Sequence, residues 1–175
     1  SLHFGCQAAG VRQHRYRHLD MAHLEDLLKR HRTNSGTNSG TNSDQPAFII
    51  SDSVFSMEGD QADVSALVEL AREHNAFLIL DEAHATGMFG EDGGGLSTAY
   101  PDGVDLVLGT FSKAFGGFGG YVACSEILRD YLIQRCGGLI YSTALPPAVL
   151  AAMDAALDLV PTMAIYLCQI PPKFI

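Results

Sequence analysis

The sequence has no long apolar run, no Cys-x-x-Cys pair and few cations, and each shortage narrows what it can do. Nothing in its 175 residues approaches the roughly 20 consecutive apolar residues that cross a bilayer, so no membrane partner is expected. No signal peptide is legible, and the expected location is cytoplasmic. The four cysteines (Cys6, Cys124, Cys136, Cys168) show neither Cys-x-x-Cys nor metal-ligand spacing, so they read as reduced thiols and no metal site is expected. Lys and Arg number 11 against 20 Asp and Glu, a formal net charge of −9 that argues against a nucleic-acid partner. The one basic run, Arg12-Gln13-His14-Arg15-Tyr16-Arg17-His18, reads as a solvated edge segment. Also absent is GxxxxGK[ST], the loop with which nucleotide hydrolases cradle phosphate.

What is present suits one packed α/β domain: 47% apolar and 18% charged residues. Asp20 can cap a helix with Met21, Leu24, Leu27 and Leu28 on one face. Thr33-Asn34-Ser35-Gly36 is repeated at 37–40 and, ending in Asp44, at 41–44, which predicts a low-complexity surface loop without a catalytic role. Apolar strands are expected over 47–54, 76–80 (ending at Asp81), 104–108 and 121–124. Val64, Leu67, Val68 and Ala71 follow helical spacing, and Ser125 caps a helix reaching about Arg135. Pro146-Pro147 opens a last helix with Val149, Met153, Leu157 and Val160 on one side, and Pro161 is expected to end it. Short continuous apolar strands alternating with helices predict a mostly parallel sheet sandwiched by helices. Ligands of such sheets sit at the carboxyl ends of strands. Ser56, Asp81 and Thr110 all fall there.

Two segments carry the chemistry. Lys113 lies in Gly109-Thr110-Phe111-Ser112-Lys113-Ala114-Phe115-Gly116-Gly117-Phe118-Gly119-Gly120, where glycines let backbone approach a ligand and the phenylalanines suggest a part-buried amine. Asp81 ends an apolar strand in Leu78-Ile79-Leu80-Asp81-Glu82-Ala83-His84. A lysine can form a Schiff base with an aldehyde, and an aspartate can keep a pyridine nitrogen protonated. Pyridoxal 5′-phosphate (PLP) needs both. His84 is placed to reach the ring's phenolic oxygen and move protons, Thr110 and Ser112 offer hydroxyls to a phosphate, and Ser56 can hydrogen-bond the ring. The Asp-Glu-Ala-His run also fits the Mg²⁺-binding strand of a DEAH-type NTPase, a reading that needs the missing phosphate loop.

Four stretches together resemble the α-oxoamine synthases: Val54-Phe55-Ser56-Met57-Glu58-Gly59-Asp60, Leu80-Asp81-Glu82-Ala83-His84-Ala85-Thr86-Gly87, Gly109-Thr110-Phe111-Ser112-Lys113-Ala114-Phe115-Gly116, and Leu139-Ile140-Tyr141-Ser142-Thr143-Ala144-Leu145-Pro146-Pro147. The resemblance implies a PLP-dependent transferase of fold type I that condenses an amino acid with an acyl-CoA and releases CO₂ and CoA. It implies ring-hydroxyl contacts from Ser56 and His84, a ring-nitrogen partner in Asp81, a phosphate contact from Thr110 and the covalent lysine in Lys113. The fourth stretch is most similar to the member that joins L-alanine to a pimeloyl thioester in biotin biosynthesis. Glycine C-acetyltransferase and other relatives share the PLP residues and are the alternatives. The likeness implies that residues 1–160 are the central part of the large domain, with the small domain absent and 161–175 an atypical tail. A homodimer is implied for the intact enzyme, and an inert truncated fragment is the reading for the chain alone.

Overall fold

A computed structural model describes residues 2–33 and 46–167. Strands β1 (Ala47–Asp52), β2 (Ala76–Asp81), β3 (Leu106–Thr110) and β4 (Gly120–Cys124) form one sheet in the order β1-β2-β3-β4. β1, β2 and β3 run parallel, and β4 adds an antiparallel edge. The mostly parallel α/β sheet expected from the sequence is therefore present. Helix α1 (Leu2–Ala8) and helix α2 (Met21–Thr33) precede the sheet, and α3 (Val64–Glu73) links β1 to β2. Helices α4 (Glu126–Arg135), α5 (Gly137–Ile140) and α6 (Pro147–Leu167) follow it.

The core forms where α3 meets the sheet. Asp63 caps α3 by accepting the Ala66 N–H at 2.9 Å, as a helix start requires. Val64, Leu67, Val68, Leu70 and Ala71 then turn inward onto Ile49, Leu78 and Leu80, joined by Leu24 and Leu28 of α2. Leu67, Leu78 and Leu80 are 0% exposed. Burial on that scale contributes about 1.5–3 kcal/mol per leucine. Asp20 caps α2 as expected, its Oδ1 accepting the His23 N–H at 2.8 Å. Ser125 caps α4 through the Leu128 N–H at 3.3 Å.

Three boundaries differ from expectation. The strand predicted over 47–54 stops at Asp52, because the chain turns back on itself: Phe55 N–H donates to the Asp60 carbonyl, and Val54 bridges Gln61. That turn, eased by Gly59 at φ +72°, carries Ser56. β3 starts at Leu106 rather than 104, because Asp105 is spent tying the strand start, its Oδ2 accepting the Leu78 N–H at 2.7 Å. Pro161 does not end the last helix, which runs through it to Leu167. A proline removes one helical hydrogen bond and can kink a helix without ending it. The inward stripe of α6 is Val149, Met153, Ala156 and Val160, while Leu157 stays 49% exposed. Residues 34–44 of the Thr-Asn-Ser repeat and residues 168–175 of the tail lie outside the described residues.

Candidate active site

In-register parallel pairing sets Asp52 beside Asp81 at the carboxyl ends of β1 and β2, so both side chains leave the sheet on one face. Asp81 Oδ1 accepts the Ala83 N–H at 3.0 Å, an Asx turn that fixes the carboxylate and starts the bend after β2. Its second oxygen makes no hydrogen bond among the described residues. The bend continues as Ala85 and Thr86 N–H groups both donate to the Glu82 carbonyl, which swings His84 toward the next loop. There Nε2 of His84 meets Nζ of Lys113 at 2.7 Å. At this distance one nitrogen donates and the other accepts, so the pair can hold a proton between them.

The Lys113 loop is shaped by its own hydrogen bonds. Thr110 donates its hydroxyl to the Gly119 carbonyl at 2.9 Å, accepts the Ser112 N–H at 3.2 Å and pairs with the Ser112 hydroxyl at 2.8 Å. Gly87 fixes how close this loop comes to the His84 bend. It sits at φ +84°, and a Cβ there would lie 2.6 Å from Cβ of Ala114. Gly109 makes room in β3 for the ring of Tyr121, whose hydroxyl donates to Thr86 Oγ1 at 2.9 Å.

Asp52, Ser56, Asp81, His84 and Lys113 line one cavity of about 380 Å³, together with Leu2, His3 and Ala83. Of the residues expected from the sequence, Ser56, Asp81, His84 and Lys113 are brought together. Thr110 and Ser112 sit on the turn leading into Lys113, outside that lining. The expectation of a part-buried amine is not met: Lys113 is exposed, and Phe111 packs instead on Phe115 and Tyr121. Sequence reasoning missed Asp52. The signal was available, since Asp52, like Asp81, closes an apolar strand. Burial pushes the Asp52 carboxyl above its ordinary value, and neighbouring Asp81 pushes the same way, while His84 and Lys113 oppose them. A second cavity of about 810 Å³, lined by Phe77, Tyr100, Val107, Ile127 and Tyr131 among others, lies apart from these groups. The smaller cavity holds the convergent polar groups that define a site.

Glu82 does not share this cavity. It is 0% exposed and accepts both the Ser97 N–H at 3.0 Å and the Ser97 hydroxyl at 2.6 Å. Asp81 and Glu82 thus face different surroundings, which leaves no acidic pair of the kind a DEAH-type NTPase offers to Mg²⁺. What remains is a primary amine touching an imidazole, with a carboxylate that keeps one oxygen unengaged. That donor set fits an aldehyde ligand with a basic ring nitrogen, which is the chemistry of PLP.

Residues 1–169 match the model of the aminotransferase class I and II family. A Magnetococcus marinus protein, provisionally named 8-amino-7-oxononanoate synthase, is 60% identical over 163 residues, covering 93% of this chain and 39% of that protein. The chain thus spans about two fifths of the length of the curated relatives it matches. Among solved structures, SPT with its PLP internal aldimine superposes with a TM-score of 0.83 at 28% identity, covering 96% of this chain and 41% of that one. The 8-amino-7-oxononanoate synthase of Francisella tularensis superposes at 0.76 with 27% identity, over 95% and 45% of the two chains.

Proposed function

The chain belongs to the aminotransferase class I and II family, and from that premise we propose that it forms the PLP-binding core of an α-oxoamine synthase, specifically an 8-amino-7-oxononanoate synthase. The reaction is the decarboxylative condensation of L-alanine with a pimeloyl thioester such as pimeloyl-CoA, in biotin biosynthesis. One observation carries the reading. Residues from three separated segments, Ser56, the Asp81/His84 pair and Lys113, converge on one cavity at the strand ends. The names of the relatives support the choice of reaction.

When bound, PLP supplies an electron sink for negative charge on the substrate's α-carbon. Asp81, held by Ala83, would offer its unengaged oxygen to the ring nitrogen and favour its protonated form. Ser56 and His84, which line the same cavity, would hydrogen-bond the ring's phenolic oxygen. Lys113 Nζ would hold the cofactor's aldehyde carbon, and its amine is the base placed to take the α-proton from L-alanine. His84, 2.7 Å away, shares that proton. Thr110 at the end of β3 and Ser112 just before Lys113 would meet the phosphate by giving up the hydrogen bonds they now make to the Gly119 carbonyl and to each other. In the intact enzyme we take the assembly to be a cytoplasmic homodimer. Among the described residues, no helix is long and apolar enough to cross a membrane.

The test is absorbance of the purified chain with added PLP, before and after borohydride, beside Lys113→Ala. A visible band that reduction fixes onto Lys113 and that the variant lacks supports the site. Reduction that marks no residue, or marks another lysine, defeats it.

A further inference from the structure

We propose that Asp52 is a positioning residue of this site, the fixed negative partner of the Lys113–His84 pair while Asp81 serves the ring nitrogen. The inference rests on the PLP reading above and deepens it. Asp52 pairs in register with Asp81, so the two carboxylates stand on one face at neighbouring strand ends. Asp52 also lines the cavity shared by His84 and Lys113. The groups facing it are Asp81 at the end of β2, His84 from the following bend, Lys113 from the loop after β3 and His3 from α1, with the Tyr16 phenol, bonded to Ser51, also coupled to it.

Its place identifies its role: the groups in that cavity able to carry positive charge are Lys113, His84 and His3. Asp81 disfavours the Asp52 charge, whereas His84 and Lys113 favour it. A carboxylate that lines the same cavity as an amine and an imidazole attracts them when they are charged, so Asp52 is placed to face the Lys113–His84 pair. In the free chain Asp81 acts in the same sense. With its unengaged oxygen given to a ring nitrogen, Asp81 would be occupied, and Asp52 would be the carboxylate left facing the pair. A proton passed to Lys113 or His84 would then sit in a cavity that also holds a carboxylate. No other described residue accepts or donates a hydrogen bond at the Asp52 carboxylate, so its charge remains directed at the cavity.

The experiment uses the full chain without cofactor. An uncharged acylating reagent labels free amines, and peptide mass spectrometry reads Lys113 against Lys29 as internal reference. Removing the Asp52 charge raises the free-amine fraction at Lys113. Asp52→Asn is therefore expected to label Lys113 about three- to tenfold faster than the parent at fixed, mildly alkaline pH, with Lys29 unchanged. Asp52→Glu, which keeps the charge, is expected to stay within about twofold of the parent. An Asp52→Asn chain that labels Lys113 at the parental rate overturns the role. So does a rise shared by Lys29 or by Asp52→Glu, which reports loosened structure and not lost charge. The two readings fail separately. A chain with no PLP adduct whose Lys113 rate still answers to Asp52 sinks the cofactor reading alone. A normal adduct with an indifferent Lys113 rate sinks the Asp52 role alone.

Discussion

Nζ of Lys113 and Nε2 of His84 lie 2.7 Å apart although 29 residues separate them in sequence. The contact exists because β2 and β3 are adjacent parallel strands whose trailing loops emerge at the same sheet edge. Neither residue is buried, so neither holds the fold together.

That exposure separates function from stability in the first prediction. Lys113→Ala and His84→Ala should each leave the unfolding midpoint in urea nearly unmoved, within about 0.5 kcal/mol. Lys113→Ala should abolish the borohydride-fixed PLP adduct. His84→Ala should keep the adduct at Lys113 and slow its formation. A His84→Ala chain that forms adduct at the parental rate removes His84 from the proton path.

The second prediction concerns Glu82, the buried carboxylate next to Asp81. A Cβ on Gly95 would lie 2.1 Å from Oε2 of Glu82, and Gly95 sits at φ +100°. Both Glu82→Ala and Gly95→Ala should therefore destabilise, the first by stranding the Ser97 donors and the second by displacing the carboxylate. Each should cost roughly 2–4 kcal/mol in denaturant unfolding. Because both changes break one interaction, the double variant should cost clearly less than their sum.

Much of this was legible from the sequence, and the rest has physical reasons for being hidden. α3 declared itself through the apolar spacing of Val64, Leu67, Val68 and Ala71, and α4 through Ser125, whose cap acts within three residues. Asp81 and Lys113 were legible because a strand-end carboxylate and a glycine-flanked lysine are local patterns. Asp52 carries the same local pattern, but its place beside Asp81 comes only from the strand paired next to it. The opposite orientations of Asp81 and Glu82 depend on the loop carrying Ser97, 15 residues further on. Pro161 misled because a proline inside a helix and a proline ending one look alike in sequence.

Alkaline pH supplies the third prediction. Burial raises the Tyr121 phenol above its ordinary 10.0, against the pull of its bond to Thr86, and burial also raises Tyr16, against its bond to Ser51. Raised phenols favour the folded state fully below pH 10.0, and that contribution is lost as pH climbs through the folded-state values. Thermal midpoints should thus fall above pH 10.0, and Tyr16→Phe with Tyr121→Phe should flatten the fall. At neutral pH each substitution should cost about 1 kcal/mol for its lost hydrogen bond. An alkaline limb unchanged in the double variant would assign it to other groups.

Asp52 yields the last prediction, with the opposite slope of an ordinary surface carboxylate. Burial, then Asp81, raises its carboxyl above the ordinary 3.8, so the folded chain binds that proton more tightly than the unfolded chain. Its contribution to stability is present below pH 3.8 and is lost as pH rises through the folded-state value. At neutral pH the ionised Asp52 is therefore a burden on the fold, and Asp52→Asn should raise the thermal midpoint. The gain should shrink as pH falls toward 3.8, which differential scanning calorimetry across that range would follow. A residue that weakens the fold yet occupies the cavity of Lys113 and His84 matches the trade between stability and activity found at functional sites. If Asp52→Asn instead lowers the midpoint at neutral pH, Asp52 stabilises the strand ends, and its presence there needs no catalytic reason.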